Sequence, residues 1–429
     1  MTTAATLQKR TINLRLILVC IAAVSVGLPI AIISLAKILL LLGGALILLV
    51  RPQAAPSKGS ANELPLTSYA VLTVLLAFSV SLLWTTGTQA EAYNSLAKYG
   101  KLLMIPLIVM LLRTRAEALC ALSWFAAAQL VLLVSSWMLY VHLPVPWATS
   151  LMALTHYSVF SSYLDQGIMT AVFAGLCWHL RAFVPGRFGP RFATGIAVLA
   201  LLNVFFILIG RSGHAVAIVL ISLAIVWAFP ARYRAPLIVL PLVLLLVVVG
   251  ISPEVRSRLA QVKNEVQAFS FTKGANLVTG SSSGIRLHLW HRAAQSIIEK
   301  PVFGSGVGSW SSEFNRVERQ ENIRPQVIAE MSNPHQEYLL WGVQLGIAGV
   351  LLFLGLLLSI YRDTKSFNRK VGHAAQSVLA ALAVACLFNS TLYDGLIGDF
   401  FCVALGLLLA LGIHRTNPPA GPVEGSRFI

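Results

Sequence analysis

Long apolar runs alternate with short polar segments along the whole chain. Apolar stretches of the length that crosses a bilayer as a helix, about 17–25 residues, predict about twelve spans. These spans are 13–29, 33–50, 66–84, 99–112, 117–141, 167–183, 192–209, 213–229, 235–251, 335–360, 374–392 and 396–413. The pattern is typical of an all-α polytopic membrane protein.

One polar segment, residues 252–334, is far longer than the other connections. It divides the chain into four predicted parts: a bundle of nine spans over 1–251, an external loop domain over 252–334, three further spans over 335–413, and a disordered tail over 414–429.

Composition agrees with this prediction. The 429 residues are 57% hydrophobic and 11% charged, with a mean hydropathy of +0.78, whereas a soluble domain carries about 25% charged residues. Most of the 32 basic residues fall in segments on the N-terminal side of the membrane, which predicts that both termini are cytoplasmic. The net charge of +16 is therefore interpreted as a topology signal. The sequence shows no module that binds a nucleic-acid groove, so no nucleic-acid partner is predicted.

The external segment is predicted to contain two helices. Residues 252–269 have the apolar spacing of an amphipathic helix, and Ile285–Glu299 predicts a second helix that Pro301 ends. The run "GSGVGS" lacks the Lys-Ser/Thr of a nucleotide-binding loop, and is interpreted as a flexible turn at the membrane edge. His288, His291 and Arg292 are interpreted as surface residues on other faces of the second helix.

Basic side chains on the predicted outer face form a candidate anion site. Arg211 lies in the short turn "GRSGHA", where a lone arginine opposes the general charge bias. Arg286 heads an otherwise apolar helix face, which directs it towards the bundle. Lys98 and Lys101 begin the fourth span and either snorkel to the surface or add positive charge to the same cavity. The remaining basic residue assigned to a short outer loop is Lys37.

The stretch "SNPHQEYLLWGVQLGIAGV" places His335 at the start of the tenth span. Asn333 is predicted to cap this helix, with Pro334 at its first position and His335 in its first turn. A helix N-terminus disfavours a positive imidazolium, so a neutral His335 is expected to act as a general base. The alternative is a histidine that only caps the helix.

The remaining polar residues of the outer face are expected to support this site. The expected supporting residues are Asp165 and Gln166, which lead into the sixth span, Gln336, which follows His335, and Asp394. Asp394 and Asp399 are both assigned to the loop between the last two spans. Because no His/Glu cluster or Asp-x-Asp pair occurs on this face, no metal ion and no cofactor are predicted. Two arginines can hold a diphosphate by charge-assisted hydrogen bonds, and a histidine can deprotonate an attacking hydroxyl. This combination indicates the transfer of a group to a hydroxyl from a donor with an anionic leaving group.

At these residues the chain resembles the O-antigen ligase/polymerase superfamily of bacterial envelope enzymes. The matching pieces are "GRSG" at 210–213, "GIRLHLWHRAAQSIIEKPVFGSGVGSW" at 284–310 and "NPHQEYLLWGVQLGIAG" at 333–349. The family often has Asn after the histidine, where this chain has Gln336.

The resemblance implies a membrane-embedded (GT-C-like) glycosyltransferase in the bacterial inner membrane. The implied donor is an undecaprenyl-diphosphate-linked glycan and the implied acceptor is a sugar hydroxyl of lipid A-core, with membrane lipids around the bundle. It also implies metal-independent, inverting transfer at the periplasmic face. By resemblance, Arg211 and Arg286 would bind the diphosphate and His335 would act as base, with Lys98 and Lys101 also binding the donor.

Other functions fit the same pattern. An O-antigen polymerase or a protein O-oligosaccharyltransferase of the same superfamily would use the same chemistry, although the single large late loop favours a ligase. A membrane transporter is a lower alternative, because few charged residues lie within the spans and no repeat of broken helices is evident.

Overall fold

The computed structural model describes residues 2–50, 64–239, 260, 282–320 and 333–414. Within these ranges every regular element is helical, which confirms the predicted all-α class. Fifteen helices are labelled in chain order: α1 Thr2–Ser25, α2 Ile30–Val50, α3 Leu66–Val80, α4 Gln89–Tyr99, α5 Met104–Leu111, α6 Arg115–Tyr140, α7 Ala153–His156, α8 Tyr163–Leu180, α9 Gly189–Phe206, α10 Arg211–Ala228, α11 Ser282–Glu299, α12 Trp310–Gln320, α13 Glu337–Lys365, α14 Arg369–Phe388 and α15 Gly395–Ile413. Residues 231–239 are also helical.

Nine helical segments in the described ranges are long and apolar enough to cross a membrane. They match nine of the predicted spans, and α1 adds a shorter apolar stretch, Leu14–Ser25. The fourth span is longer than predicted: it begins at Gln89, because Thr88 and Glu91 form a capping box there, and α4 continues through a 3-10 turn into α5.

Helix α8 corresponds to the sixth predicted span but is less apolar than the others. It packs against α6, α9, α10 and α14, so its buried Gln166 and Thr170 face protein. The ninth predicted span and the first predicted helix of the external segment fall mostly outside the described residues.

Helix α15 forms the core of the bundle, and almost all of it is buried. Asp399 lies on this helix and not in the preceding loop as predicted. Its carboxylate accepts a hydrogen bond from Lys37 Nζ at 2.8 Å, and Lys37 lies within α2 and not in an outer loop. Burial of a charge in a bundle is tolerated when it is paired, so this ion pair explains why two charged residues occur inside apolar spans.

The described part of the external segment contains a helix, α12, that was not predicted. Helix α11 confirms the predicted Ile285–Glu299 helix and ends before Pro301, and α12 packs against it. His288 and Arg292 were expected on the surface but are about 1% exposed. Both contact the buried carboxylate of Glu318 on α12, His288 Nε2 at 2.9 Å and Arg292 Nε at 2.5 Å, so they hold the two helices together.

The run "GSGVGS" is a packed element and not the flexible turn that was predicted. Gly304, Gly306 and Gly308 all have positive φ, the region that glycine enters at no steric cost. Ser305 N and Gly306 N donate to the carbonyls of Val343 and Gln344 of α13 at 2.9 and 2.8 Å.

The other side of this glycine loop meets the connection between α3 and α4. Thr86 N donates to Ser305 O at 2.9 Å, and Thr85 Oγ1 donates to Val307 O at 2.7 Å. Helix α13 is kinked where the loop enters, at Gly346 (φ 65°, ψ −153°). The glycine loop therefore fixes the external helices on the transmembrane bundle.

Candidate active site

His335 lies in a turn immediately before α13. The helix was predicted to start with Asn333 as its cap, but Gln336 is the cap, its side chain accepting from Leu339 N at 2.5 Å. His335 is therefore outside the helix, in the left-handed region with φ 53°. Its backbone N donates to Asn333 Oδ1 at 2.8 Å, which stabilises the turn and leaves the half-buried imidazole in front of the helix.

The imidazole of His335 is oriented by Asn389, a residue that follows α14. Nδ1 of His335 lies 3.2 Å from Asn389 Oδ1. Because an amide oxygen only accepts, Nδ1 must donate, and the neutral ring then carries its lone pair on Nε2. The arrangement provides a nitrogen that can accept a proton.

Asp394 interacts with both asparagines that contact His335. Asn333 Nδ2 donates to Asp394 Oδ1 at 3.3 Å, and the Asn389 side chain also hydrogen-bonds the Asp394 carboxylate. Burial raises the pKa of Asp394 to about 6, against the opposing charges of Lys101 and Lys98 and the two asparagine hydrogen bonds. The carboxylate therefore accepts both hydrogen bonds at neutral pH and holds the amide of Asn389 in the orientation that His335 requires.

The two candidate lysines occupy different positions beside Asp394. Lys101 is buried, and its Nζ donates to the backbone carbonyls of Asp394 and Gly395 at 2.5 and 3.3 Å. It therefore stabilises the turn before α15. Lys98 is half-buried, with its ammonium 4.0 Å from the centre of the Tyr393 ring, and is the more accessible of the two to a bound anion.

Glu337 joins the His335 turn to the Asp394 turn. Its fully buried carboxylate accepts from Trp341 Nε1 at 2.8 Å and from the backbone N atoms of Leu392 and Tyr393 at 2.9 and 3.2 Å. Sequence reasoning identified neither Glu337 nor Asn389. The signal for Glu337 was its acidic side chain in the first turn of an apolar helix, which is costly unless it is satisfied by the protein.

Arg211 is the first residue of α10, and its side chain is exposed. The start of α10 packs closely on the start of α8: a Cβ at Gly210 would lie 2.8 Å from Leu164 Cδ2, and one at Gly213 would lie 3.1 Å from Gly167 Cα. Ser162 caps α8: its Oγ accepts from Asp165 N and donates to the Asp165 carboxylate. Asp165 also interacts electrostatically with both Asp394 and His335. Asp165 therefore lies near the histidine turn, and Arg211 lies at the neighbouring start of α10.

Arg286 approaches the same turn from the external helices. Trp290, one turn further along α11, donates from Nε1 to the carbonyl of Pro334 at 3.1 Å. Because residues four apart share a helix face, Arg286 lies on the face of α11 that meets the His335 segment. Its side chain is half-buried.

The structure separates the supporting residues into two groups. Asp165 and Asp394 lie near His335, but Gln336 caps α13 and the buried Gln166 accepts from Val159 N at 2.7 Å, so both glutamines have structural partners.

The starts of α8, α10, α13 and α15 converge at this end of the bundle. Since helix N-termini carry partial positive charge and free N–H groups, the site favours an anion.

Comparison with known proteins finds a family that is similar to part of the chain. The model of the O-antigen ligase family matches residues 196–354, a segment that contains Arg211, Arg286 and His335. This match covers less than half of the chain, and it shows that the segment is similar to the O-antigen ligase family. The family match extends from α9 into α13, so Lys98, Asp165, Asn389 and Asp394 lie outside it.

Two bacterial relatives agree with the O-antigen ligase match. A protein of Rickettsia conorii (strain ATCC VR-613 / Malish 7), named as a polysaccharide ligase, is 30% identical over 120 residues. A protein of Rickettsia bellii (strain RML369-C) with the same description is 29% identical over 120 residues. Each match covers 26% of this chain and 26% of the relative, so the chain aligns with about a quarter of the length of these relatives.

Proposed function

We propose that this protein is an O-antigen ligase that transfers a glycan from undecaprenyl diphosphate to a sugar hydroxyl of lipid A-core. The observation that carries the proposal is the His335 imidazole, whose Nδ1 faces Asn389 Oδ1 beside converging helix N-termini and within the matched O-antigen ligase segment. The proposed setting is the bacterial inner membrane, with cytoplasmic termini and the site at the periplasmic face.

In the proposed reaction the acceptor hydroxyl attacks the anomeric carbon of the donor sugar. Nε2 of His335 takes the hydroxyl proton as the new C–O bond forms, and the bond between the anomeric carbon and the diphosphate oxygen breaks. Attack opposite to the leaving group inverts the anomeric centre. The departing charge stays on undecaprenyl diphosphate, where Arg211 and Arg286 stabilise it by charge-assisted hydrogen bonds; Lys98 adds positive charge nearby.

The test is complementation of a ligase-deleted Gram-negative strain that makes a compatible core. His335→Asn removes the base but keeps a residue that tolerates the left-handed backbone, and Arg211→Gln and Arg286→Gln remove the proposed clamps. Arg319→Gln is the matched control, because Arg319 lies exposed at the end of α12. Membrane abundance of each variant is measured by blot.

We expect wild type and Arg319→Gln to restore the lipopolysaccharide ladder, and the three site variants to fail at normal abundance. A full ladder from His335→Asn would exclude His335 as the base. If loss of the protein from its own host leaves a core with a single repeat unit, the protein is a polymerase; if the core is unaffected and glycan disappears from proteins, it is a protein O-oligosaccharyltransferase.

A further inference from the structure

A second polar cavity lies at the opposite end of the bundle from the candidate active site. Helix α14 connects the two, since it ends next to Asn389 and begins at Arg369 beside this cavity. Asn389 lies sixteen positions after His373, a distance of about 24 Å along the helix at 1.5 Å per residue. The cavity has a volume of about 420 Å³ and lies between the ends of α8 and α10 and the starts of α9 and α14.

The residues around this cavity are cationic and aromatic. Arg181, Arg369 and Lys370 line it together with two histidines and two tryptophans, and no Asp or Glu is among the described residues that line it. The Arg181 guanidinium stacks 4.0 Å from the Trp178 ring centre, and Arg369 donates to the Trp227 carbonyl at 3.2 Å. These contacts hold the guanidinium groups at the rim and leave several of their N–H donors for an anion.

Two imidazoles face the cavity without a protein hydrogen-bond partner. His373 stacks on Trp227 with ring centres 4.2 Å apart, and His179 lies 5.9 Å from His373. His179 is only 8% exposed. Within the described part of the chain neither ring makes a hydrogen bond, so the ring nitrogen atoms are available to a ligand in the cavity.

An apolar groove lies on the other side of the short 3-10 turn Arg181–Phe183. It has a volume of about 340 Å³, and Phe173, Leu176, Phe183, Phe192 and Ile196 contribute to its lining. The cationic cavity and the apolar groove are thus separated by only this turn and the adjacent start of α9. A lipid with a phosphate headgroup and acyl chains complements both surfaces, the headgroup matching the cationic cavity and the acyl chains matching the apolar groove.

We infer that the cationic cavity binds the phosphate-bearing headgroup of an anionic membrane lipid. Basic pockets between transmembrane helices bind such headgroups on the cytoplasmic side, the side that the proposed orientation assigns to this end. The free N–H groups at the start of α14 add to the attraction for phosphate. The inference does not depend on glycan transfer, because no residue of the cavity belongs to the candidate active site.

The test is native mass spectrometry of the purified full-length protein with added phosphatidylglycerol, with diacylglycerol as a neutral lipid and inorganic phosphate as a soluble anion. The double variant Arg369→Gln/Lys370→Gln removes two charges from the cavity. Its matched control, Arg187→Gln/Arg191→Gln, removes two charges from exposed residues at the same end that do not line the cavity. His373→Phe keeps a ring on Trp227 and removes the nitrogen atoms.

We expect one phosphatidylglycerol to bind the wild type, with the apparent Kd raised about 10- to 30-fold by the cavity double variant and less than about twofold by the control. His373→Phe should also weaken binding. Equal weakening by both double variants would show general surface attraction and overturn the site. If inorganic phosphate competes at the same concentration as the lipid, the ligand is a soluble phosphate and the lipid assignment is wrong.

Discussion

At the scale of single residues, the candidate site depends on side chains that position other side chains. His335 supplies the proposed base, but its orientation depends on Asn389, which in turn is held by Asp394. The site therefore depends on two short segments, 333–335 and 389–394, that lie more than 50 positions apart in the sequence. Substitutions of the positioning residues should affect transfer without removing the reacting group.

Asn389→Ala should reduce glycan transfer about 100-fold, since a misplaced catalytic group costs about this factor. The reduction should appear mainly in kcat, because Asn389 touches His335 and Asp394 and not the proposed diphosphate ligands. In-vitro transfer from a lipid-linked glycan to core acceptor measures both parameters. Ser390→Ala is the neighbouring control, because Ser390 Oγ has no hydrogen-bond partner in the described structure; equal loss in both variants would assign Asn389 a structural role only.

Glu313 is a residue of the external helices whose ionisation stabilises their attachment. Burial alone would raise its pKa, but hydrogen bonds from Arg316, Lys300 and Thr86 outweigh this and lower the pKa to about 2. The folded state thus favours the carboxylate. The stabilisation is complete above the ordinary pKa near 4.5 and is lost as the pH falls from there towards 2.

Glu313→Gln should therefore lower the thermal unfolding midpoint at pH 7 and at pH 5 by a similar amount, and by less at pH 3. Differential scanning fluorimetry in detergent measures these midpoints. Glu299→Gln is the control, because the Glu299 carboxylate is 42% exposed and, among the described residues, forms an ion pair with Arg316 alone. Exposed ion pairs of this kind contribute little to stability. A Glu313→Gln effect that does not shrink at pH 3 would contradict the assignment.

At the scale of elements, the glycine loop 304–308 joins the external helices to two transmembrane helices. Its backbone contacts α13 on one side and the α3–α4 connection on the other, with no room for side chains at the three glycines. A motif that looked like a phosphate-binding or flexible loop in the sequence is therefore a packing element. The loop packs against α13 at its kink, Gly346. It therefore fixes the position of the first part of α13, which begins beside His335.

Gly306→Ala should destabilise the protein by about 3 kcal/mol, combining left-handed backbone strain with overpacking. The new Cβ would lie 2.3 Å from Thr85 Cα, and the backbone at this residue has φ 88°. Gly355→Ala in α13 is the matched control, since no atom lies within 4 Å of its Cβ position; it should be neutral or slightly stabilising. Equal unfolding midpoints for the two variants would disprove the proposed role of the glycine loop.

At the scale of the whole molecule, the bundle is closed by contacts between the two ends of the chain. Helix α2 meets the central helix α15 through the Lys37–Asp399 ion pair, and buried Lys101 also interacts electrostatically with Asp399. Removing the carboxylate leaves two ammonium groups without their shared partner, whereas removing Lys37 leaves Asp399 with Lys101.

Asp399→Leu should therefore destabilise the protein more than Lys37→Met, with a loss of about 3–5 kcal/mol for the carboxylate variant. The double variant should recover part of the loss caused by Asp399→Leu, because it also removes one of the two ammonium groups that are left without a carboxylate. Thermal unfolding in detergent compares the three variants. A larger effect of Lys37→Met than of Asp399→Leu would show that Lys101 does not share the carboxylate.

The sequence by itself determined the all-α class, most of the transmembrane spans and the second external helix. These features depend on apolar runs of bilayer length and on helical spacing, which are local properties of the chain. The family motif also singled out Arg211, Arg286 and His335, because their residue types are unusual at the ends of apolar helices.

Only the tertiary structure decided how these residues are held. Asn389 and Glu337 act through partners more than 50 positions away, the burial of His288 and Arg292 depends on Glu318 of the unpredicted helix α12, and Lys37 reaches Asp399 across 362 positions. Local periodicity carries no information about such pairs. They arise because a buried polar or charged group must find its partner within the protein, wherever in the sequence that partner lies.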